Sequence, residues 1–432
     1  MMERSEEMSR RELVLRGSAL AAAGLAAVPA GASGPRQAGP NSRLGVGFIG
    51  CGGRAGAHMQ ALHWLRTDGG EALDLVAFCD VYGPRLRAAA AAHNSQRTYT
   101  DYRRLLEDPA VDIVCISTPD HTHAPQAIAA LRANKHVFVE KPITHWRQFS
   151  QLRELARTAA RSRAHLLCGT QGMSCSAWEQ ARKLIAAGAI GQPIHAEAGY
   201  FRVGDWGERA MPIDDPRARP GPDLDWEAFL GDAPRRPFSV DRFFRWRLFM
   251  DYAGGPVTDL YPHAFTPVVH MLGVKFPSSV VASGGTYRYP YALREVPDTF
   301  NLLIDYPEKV TVALMGTQGN NHSGTGDAPS PSVGRAPVIR GWDATLTFAG
   351  RNIVITPTDG SSKQPATIPI EGREDLVDFW RSLLAAARSG QGATASPMDL
   401  AYYAQTPLIM GMAAWRAGRT ARFDTAREAI VV

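Results

Sequence analysis

The sequence predicts an α/β protein: an N-terminal Rossmann domain with a doubly wound parallel sheet, then a C-terminal α/β domain with a largely antiparallel open sheet. Three observations predict it. A short apolar strand, Leu44 to Ile49, runs straight into Gly50-Cys51-Gly52-Gly53-Arg54-Ala55 and then into a helix. Apolar strand runs alternate with helical runs as far as Val139, the pattern of parallel βαβ units. Further on, Phe300, Leu302, Ile304 and Tyr306 alternate with more variable positions, as in a sheet with one covered face.

A chain of 432 residues is too long for one ordinary core and calls for two domains. The formal charge of +5 does not point to nucleic acid, because the arginines are scattered singly between acidic residues and form no basic stripe. The five cysteines, Cys51, Cys79, Cys115, Cys168 and Cys175, show no CxxC or Cys/His ligand spacing. They read as free buried thiols, with no metal site.

The first 32 residues read as an address. Arg10-Arg11 precedes a short Ala/Leu/Gly run from about Ser18 to Val28, and Ala30-Gly31-Ala32 offers a cleavage site. The run is too short and too poor in large apolar residues for a membrane span. The arginine pair resembles a twin-arginine (Tat) signal, with Leu13 in place of the usual Phe; a disordered Arg-containing tail is the alternative. The reading implies the Tat export machinery as a partner and a periplasmic or extracytoplasmic location. Because dinucleotides are scarce outside the cytoplasm, an exported enzyme that needs one should fold around it first. The predicted division is signal 1–32, linker 33–43, Rossmann domain 44–168 and C-terminal domain 169–432.

Within the turn, Gly50 permits the tight bend, Gly52 lets the backbone approach a pyrophosphate, and Ala55 allows close helix–strand packing. Gly53 and Arg54 lie in the same turn, ahead of a helix read from Gly56 to Leu65 whose N-terminus would hold the anion. The second strand, Leu73 to Cys79, ends at Asp80, placed to read the ribose hydroxyls. An acid there favours NAD over NADP, and Arg85 nearby leaves NADP open. After helices near 84–92 and 102–106, the strand Val111 to Ile116 delivers Ser117, Thr118, Pro119, Asp120, His121, Thr122 and His123 to the carboxyl edge of the sheet, where ligands bind. A helix over 124–133 leads to the strand His136 to Val139 and then Glu140-Lys141-Pro142 at the same edge. His121 and His123 read equally well as loop histidines, and the pair is too thin to claim a metal.

GFIGCGGRA, CISTPDHTHA and HVFVEKPIT, in that order, resemble the Gfo/Idh/MocA oxidoreductases, the glucose–fructose oxidoreductase and inositol dehydrogenase group. The resemblance continues through WEAFLG at 226–231 and GGPVTDLYPH at 254–263. It implies that Lys141 lies against the substrate hydroxyl and the nicotinamide, that Asp259 and His263 complete the catalytic group, and that the bond before Pro142 is cis. Thr266 stands where many sugar dehydrogenases of the family have an acid, which puts polyol-type recognition in doubt. It also implies that the open sheet face is an oligomer interface, hence a homo-oligomer. The chemistry agrees: an imidazole can take the hydroxyl proton near neutral pH, and a cationic Lys stabilises a developing alkoxide. D-x-x-x-H on one helix would put Asp259 and His263 on one face. Without the family, the two read as a helix cap and a packed histidine.

Beyond 169 the sequence predicts a helix at 178–187, strands at 194–202, 279–289, 299–306, 310–315, 344–348 and 352–356, and closing helices at 376–387 and 397–417. Two stretches, 204–224 and 316–341, read as loops that line the substrate entrance. The run Phe243-Phe244-Arg245-Trp246-Arg247 reads either as a sugar-stacking surface or as core. The expected function is hydride transfer between a tightly bound NAD and a small carbohydrate or polyol. The alternatives are a redox-neutral glycoside-cleaving enzyme that oxidises transiently and eliminates, and a non-catalytic glycan-binding protein.

Overall fold

The computed structural model describes residues 42–205 and 211–432; the expected signal and most of the linker lie outside them. The first sheet has six parallel strands: β1 (Leu44–Ile49), β2 (Leu73–Cys79), β3 (Arg97–Tyr99), β4 (Ile113–Ile116), β5 (His136–Val139) and β6 (Leu166–Cys168). Their order is 3-2-1-4-5-6, so the chain reverses direction between β1 and β4 and opens a crevice at the carboxyl ends. Both faces are covered, which is why β1, β4 and β5 are buried along their whole length. The helices Gly53–Thr67 and Gly83–Ala92 pack on one face, and Asp120–Arg132 and Phe149–Arg161 on the other.

The second sheet comprises β7 (Pro193–Val203), β8 (Ser279–Gly285), β9 (Thr299–Tyr306), β10 (Val310–Thr317), β11 (Gly319–Asn320), β12 (Val338–Gly341), β13 (Ala344–Ala349), β14 (Asn352–Pro357), β15 (Ala366–Pro369), β16 (Ala421–Asp424) and β17 (Ala429–Val431). They run in the order 15-14-13-12-7-10-9-8-16-17, with β11 on β7. Only β7 and β10 pair parallel. The expected strand at 279–289 stops at Gly285, because the amides of Tyr287, Arg288 and Tyr289 turn onto the Asp298 carboxylate at 3.0, 2.8 and 2.8 Å. The helices Tyr261–Leu272 and Met398–Ala417 lie against one face.

The core runs through the boundary drawn at Cys168. Trp380, on the helix Leu376–Ser389, stacks on Phe138 of β5 with ring centroids 4.5 Å apart. Tyr402 and Ile409 sit in the same cluster as Val114 and Ile116. All five cysteines are free; four are buried and Cys51 is half-buried. Among the described residues no helix is long and apolar enough to cross a membrane.

Candidate active site

The phosphate turn is shaped by what cannot fit. Gly50 has φ +84°, and a Cβ there would meet the Ser117 carbonyl carbon and oxygen at 2.9 Å. Gly52 caps the helix Gly53–Thr67 without a side-chain hydrogen bond, no acidic residue occupies the first turn, and Gly53 faces open space. The opening amides of that helix thus point at an anion site that no acidic side chain fills. In front lies a cavity of about 800 Å³, lined by Gly50, Gly52, Gly53, Arg54, Asp80 and Arg85. These features fit the pyrophosphate of a dinucleotide.

Asp80 accepts the Cys51 amide at 2.7 Å and the Tyr82 amide at 2.8 Å, so it fixes the turn from below. Each oxygen keeps lone-pair capacity for a ribose hydroxyl. Burial raises its pKa, and the two amides oppose the rise. Ala55 is fully buried under the turn, as its packing role requires.

Glu140 is buried and held in its charged form. Arg54 donates to it at 2.6 Å and His58 at 2.9 Å. Trp380 donates its indole N–H to His58 Nδ1 at 3.1 Å, which leaves the proton on Nε2 to face Glu140. Burial alone would raise the Glu140 pKa, but Arg54, His58 and Lys141 bring it well below the usual range. The network ties the phosphate helix to the Lys141 loop.

Lys141 lines the cavity, and its Nζ donates to both the carbonyl and the Oδ1 of Asp259 at 2.8 Å. The Lys141–Pro142 bond is cis. Arg247 adds a second cation, with Nε 3.4 Å from the same oxygen. Against the burial penalty, Lys141 and Arg247 push the Asp259 pKa far below the carboxylate range. His263 is buried, its Nδ1 has no hydrogen-bond partner, and burial followed by Lys141 lowers its pKa to about 3. Asp259 and His263 do not line the cavity; they lie behind Lys141. Nor do they share one helix. Asp259 ends the turn Pro256–Asp259 and His263 lies in the first turn of Tyr261–Leu272, with Leu260 between. Pro262 at the second position of the later helix starts it afresh.

Ser117, Thr118, Pro119 and His121 also line the cavity. The histidines expected in a loop belong to the first turn of Asp120–Arg132. His123 contacts the carbonyls of Pro142 and Thr118 at 2.7 and 2.8 Å, tying the Lys141 loop to the 117–119 turn. His121 donates from Nε2 to the Phe229 carbonyl at 2.7 Å. Among the described residues no group of three or more His, Cys, Asp and Glu side chains could hold a metal ion. Thr266 donates to the Pro262 carbonyl at 2.7 Å within its own helix.

The sequence reading put Asp120 at the ligand edge without giving it a role, and it missed His58 and Trp380. Asp120 lines the cavity, and burial raises its pKa to about 7 against the pull of Arg247. That reading expected 204–224 to line the substrate entrance but missed the extent of the strap: residues from 211–253 reach back to the first domain and line the cavity. Leu224 bridges Tyr82, the Asp225 amide donates to the Val81 carbonyl at 2.9 Å, and the Gly83 amide donates to the Asp223 carbonyl at 2.8 Å. Trp226, Phe229, Phe243, Phe244 and Tyr252 form an aromatic core beneath it. Phe243 and Phe244 thus belong to that core, although both also line the cavity.

Two models of one family match consecutive stretches: residues 44–170 match an oxidoreductase family's NAD-binding Rossmann fold, and residues 175–286 its C-terminal alpha/beta domain. The chain belongs to the Gfo/Idh/MocA oxidoreductase family. Its N-terminal domain is accordingly an NAD-binding Rossmann domain. Among relatives of this Gfo/Idh/MocA protein is an inositol 2-dehydrogenase of Salmonella typhimurium, 29% identical over 161 residues, 37% of this chain and 46% of that one. A glycosyl hydrolase family 109 protein of a Shewanella species is 32% identical over 171 residues, 37% of this chain and 36% of that one. The chain thus spans less than half the length of these curated relatives. An oxidoreductase domain protein from Kribbella flavida shares the fold at a TM-score of 0.66 and 23% identity, over 88% of this chain and 99% of that one.

Proposed function

We propose that this protein is an exported oxidoreductase that transfers a hydride between retained NAD and a carbohydrate or polyol hydroxyl. The observation that carries the reading is Lys141, fixed by Asp259 at the inner wall of the NAD cavity. Bound NAD supplies the carbon that takes up or returns the hydride. Lys141 has three donors and gives two to Asp259, so the third is available to a substrate oxygen. There its charge stabilises a developing alkoxide. His263 is kept neutral by burial and does not line the cavity, whereas Asp120 lines it with a pKa raised to about 7 and can take the hydroxyl proton. The strap suits retention, since its residues line the cavity beside the dinucleotide turn. Retention in turn suits export. The open face of the second sheet is the surface through which copies would assemble.

The glycosyl hydrolase relative favours a second reading on the same residues: transient oxidation, elimination and return of the hydride, with no net redox change. One experiment separates them. Protein purified without added nucleotide is denatured and its NAD(H) and NADP(H) are quantified; fresh protein then meets free sugars, polyols and aryl glycosides. Net oxidation reduces the retained nicotinamide once per chain and then stops unless an electron acceptor is added, whereas cleavage releases the aryl group turnover after turnover and leaves the cofactor unchanged. Lys141→Ala should lower kcat/KM by about 10²- to 10⁴-fold and keep the nucleotide content. An empty protein that also fails to bind added NAD would overturn both readings.

A further inference from the structure

We propose that Asp214, on the strap, makes the site select NAD over NADP by neutralising Arg85. The inference rests on the dinucleotide site and not on which reaction follows. In such sites an acid ending the second strand takes the ribose hydroxyls, whereas a nearby arginine accommodates a 2′-phosphate. This chain carries both, Asp80 and Arg85, and both line the cavity. Selectivity therefore turns on whether the Arg85 charge is available.

It is engaged. Arg85 Nε lies 2.6 Å from Asp214 Oδ2, a contact between residues 129 positions apart in the chain. The two side chains are 28% and 34% exposed, so solvent screens the pair less than it would on an open surface. Phe244 and Tyr82 hold the guanidinium from beneath, with centroids 5.3 and 5.9 Å away. Its Nη1 lies 3.3 Å from where a Cβ on Gly52 would sit, so the paired group stands directly over the phosphate turn.

The other four arginines lining the cavity each have an acidic partner of their own: Arg54 with Glu140, Arg103 with Asp101, Arg235 with Glu227 and Arg247 with Asp259. A 2′-phosphate would thus meet the Asp80 carboxylate without an unpaired guanidinium among the lining arginines to offset it.

The test measures Kd for NAD+ and NADP+ on the full-length protein, by displacement of fluorescent NADH, in the wild type, Asp214→Asn, and Asp214→Asn combined with Arg85→Ala. Asp214→Asn should tighten NADP+ about tenfold or more, the scale of one charge-assisted hydrogen bond, with NAD+ changed less than about threefold. Adding Arg85→Ala should remove the gain. An unchanged NADP+ to NAD+ ratio in Asp214→Asn overturns the proposal, and so does equal weakening of both, which would make Asp214 a strap anchor only. A gain that survives Arg85→Ala overturns it too. A wild type that binds neither nucleotide would overturn the site itself, a failure distinct from all of these.

Discussion

Buried histidines set how this molecule responds to acid. Burial is the first cause at each: it brings His121 and His136 to about 4 and His145 and His263 to about 3. In the unfolded chain a histidine titrates near 6.5, so between pH 6.5 and 4 the unfolded state binds more protons. Stability then falls as pH falls, by up to about 1.4 kcal/mol per unit for each group. Asp120 acts the other way: raised to about 7, it favours the folded state at lower pH over much of the same window. Asp80 is raised as well, but the depressed histidines, His58 and His123 among them, outnumber the two aspartates and fix the sign. The melting temperature should drop steadily from pH 6.5 to 4, and His136→Gln should flatten the slope; a curve level down to pH 4 would contradict these burial assignments. Single residues were legible where a motif carries them: Gly50, Asp80, Glu140 and Lys141 line one cavity. Trp380 was not, because its partner His58 is 322 positions away and no local pattern links an indole to an imidazole at that range. Asp214 was hidden for the same reason.

At the scale of elements, the regular α/β units were legible and the excursions were not. Buried strands of four to seven residues between helices announce themselves by continuous apolar runs. The helix Phe149–Arg161 was legible too, with Leu152 and Leu155 buried at helical spacing against a charged face, yet the sequence reading passed over it. The strap is harder. Its ordered pieces, Trp226–Leu230 and Val240–Phe244, have five residues each, and what shapes it is an aromatic cluster drawn from both domains. That cluster gives the strap its predicted role. Phe244 is buried, lines the cavity and packs edge-on against Tyr82 at 5.5 Å. Phe244→Ala removes the ring that joins strap to first sheet, a truncation that costs about 3–5 kcal/mol in a core. Most of that loss should fall on strap closure, because the two sheets do not pass through this cluster. NADH release, followed by fluorescence, should quicken about tenfold or more with the circular dichroism unchanged. An unaltered release rate would mean that the strap is a wall of the cavity and not its closure.

At the scale of the whole molecule, the second sheet is the surface left over. One face packs on the helices Tyr261–Leu272 and Met398–Ala417, which explains the buried Phe300, Leu302, Ile304 and Tyr306 of β9. The other face should be polar by the same alternation, and Asn301 and Asp305 obey. Leu303 does not: it is 62% exposed and lies directly opposite Val281 of β8, itself 48% exposed. With Ala313 of β10 opposite Leu303 on its other side, these cross-strand apolar residues mark a surface that something covers. A second copy of this chain is the simplest occupant, because a two-fold contact matches the face with itself. Leu303→Arg would set two like charges at the centre of such a contact while leaving the inward residues of β9 untouched. Sedimentation velocity should then show the wild type as an oligomer and the variant as a monomer with the same NADH affinity. A monomeric wild type would reject assembly through this face, and an oligomer indifferent to Leu303→Arg would move the interface elsewhere on the molecule.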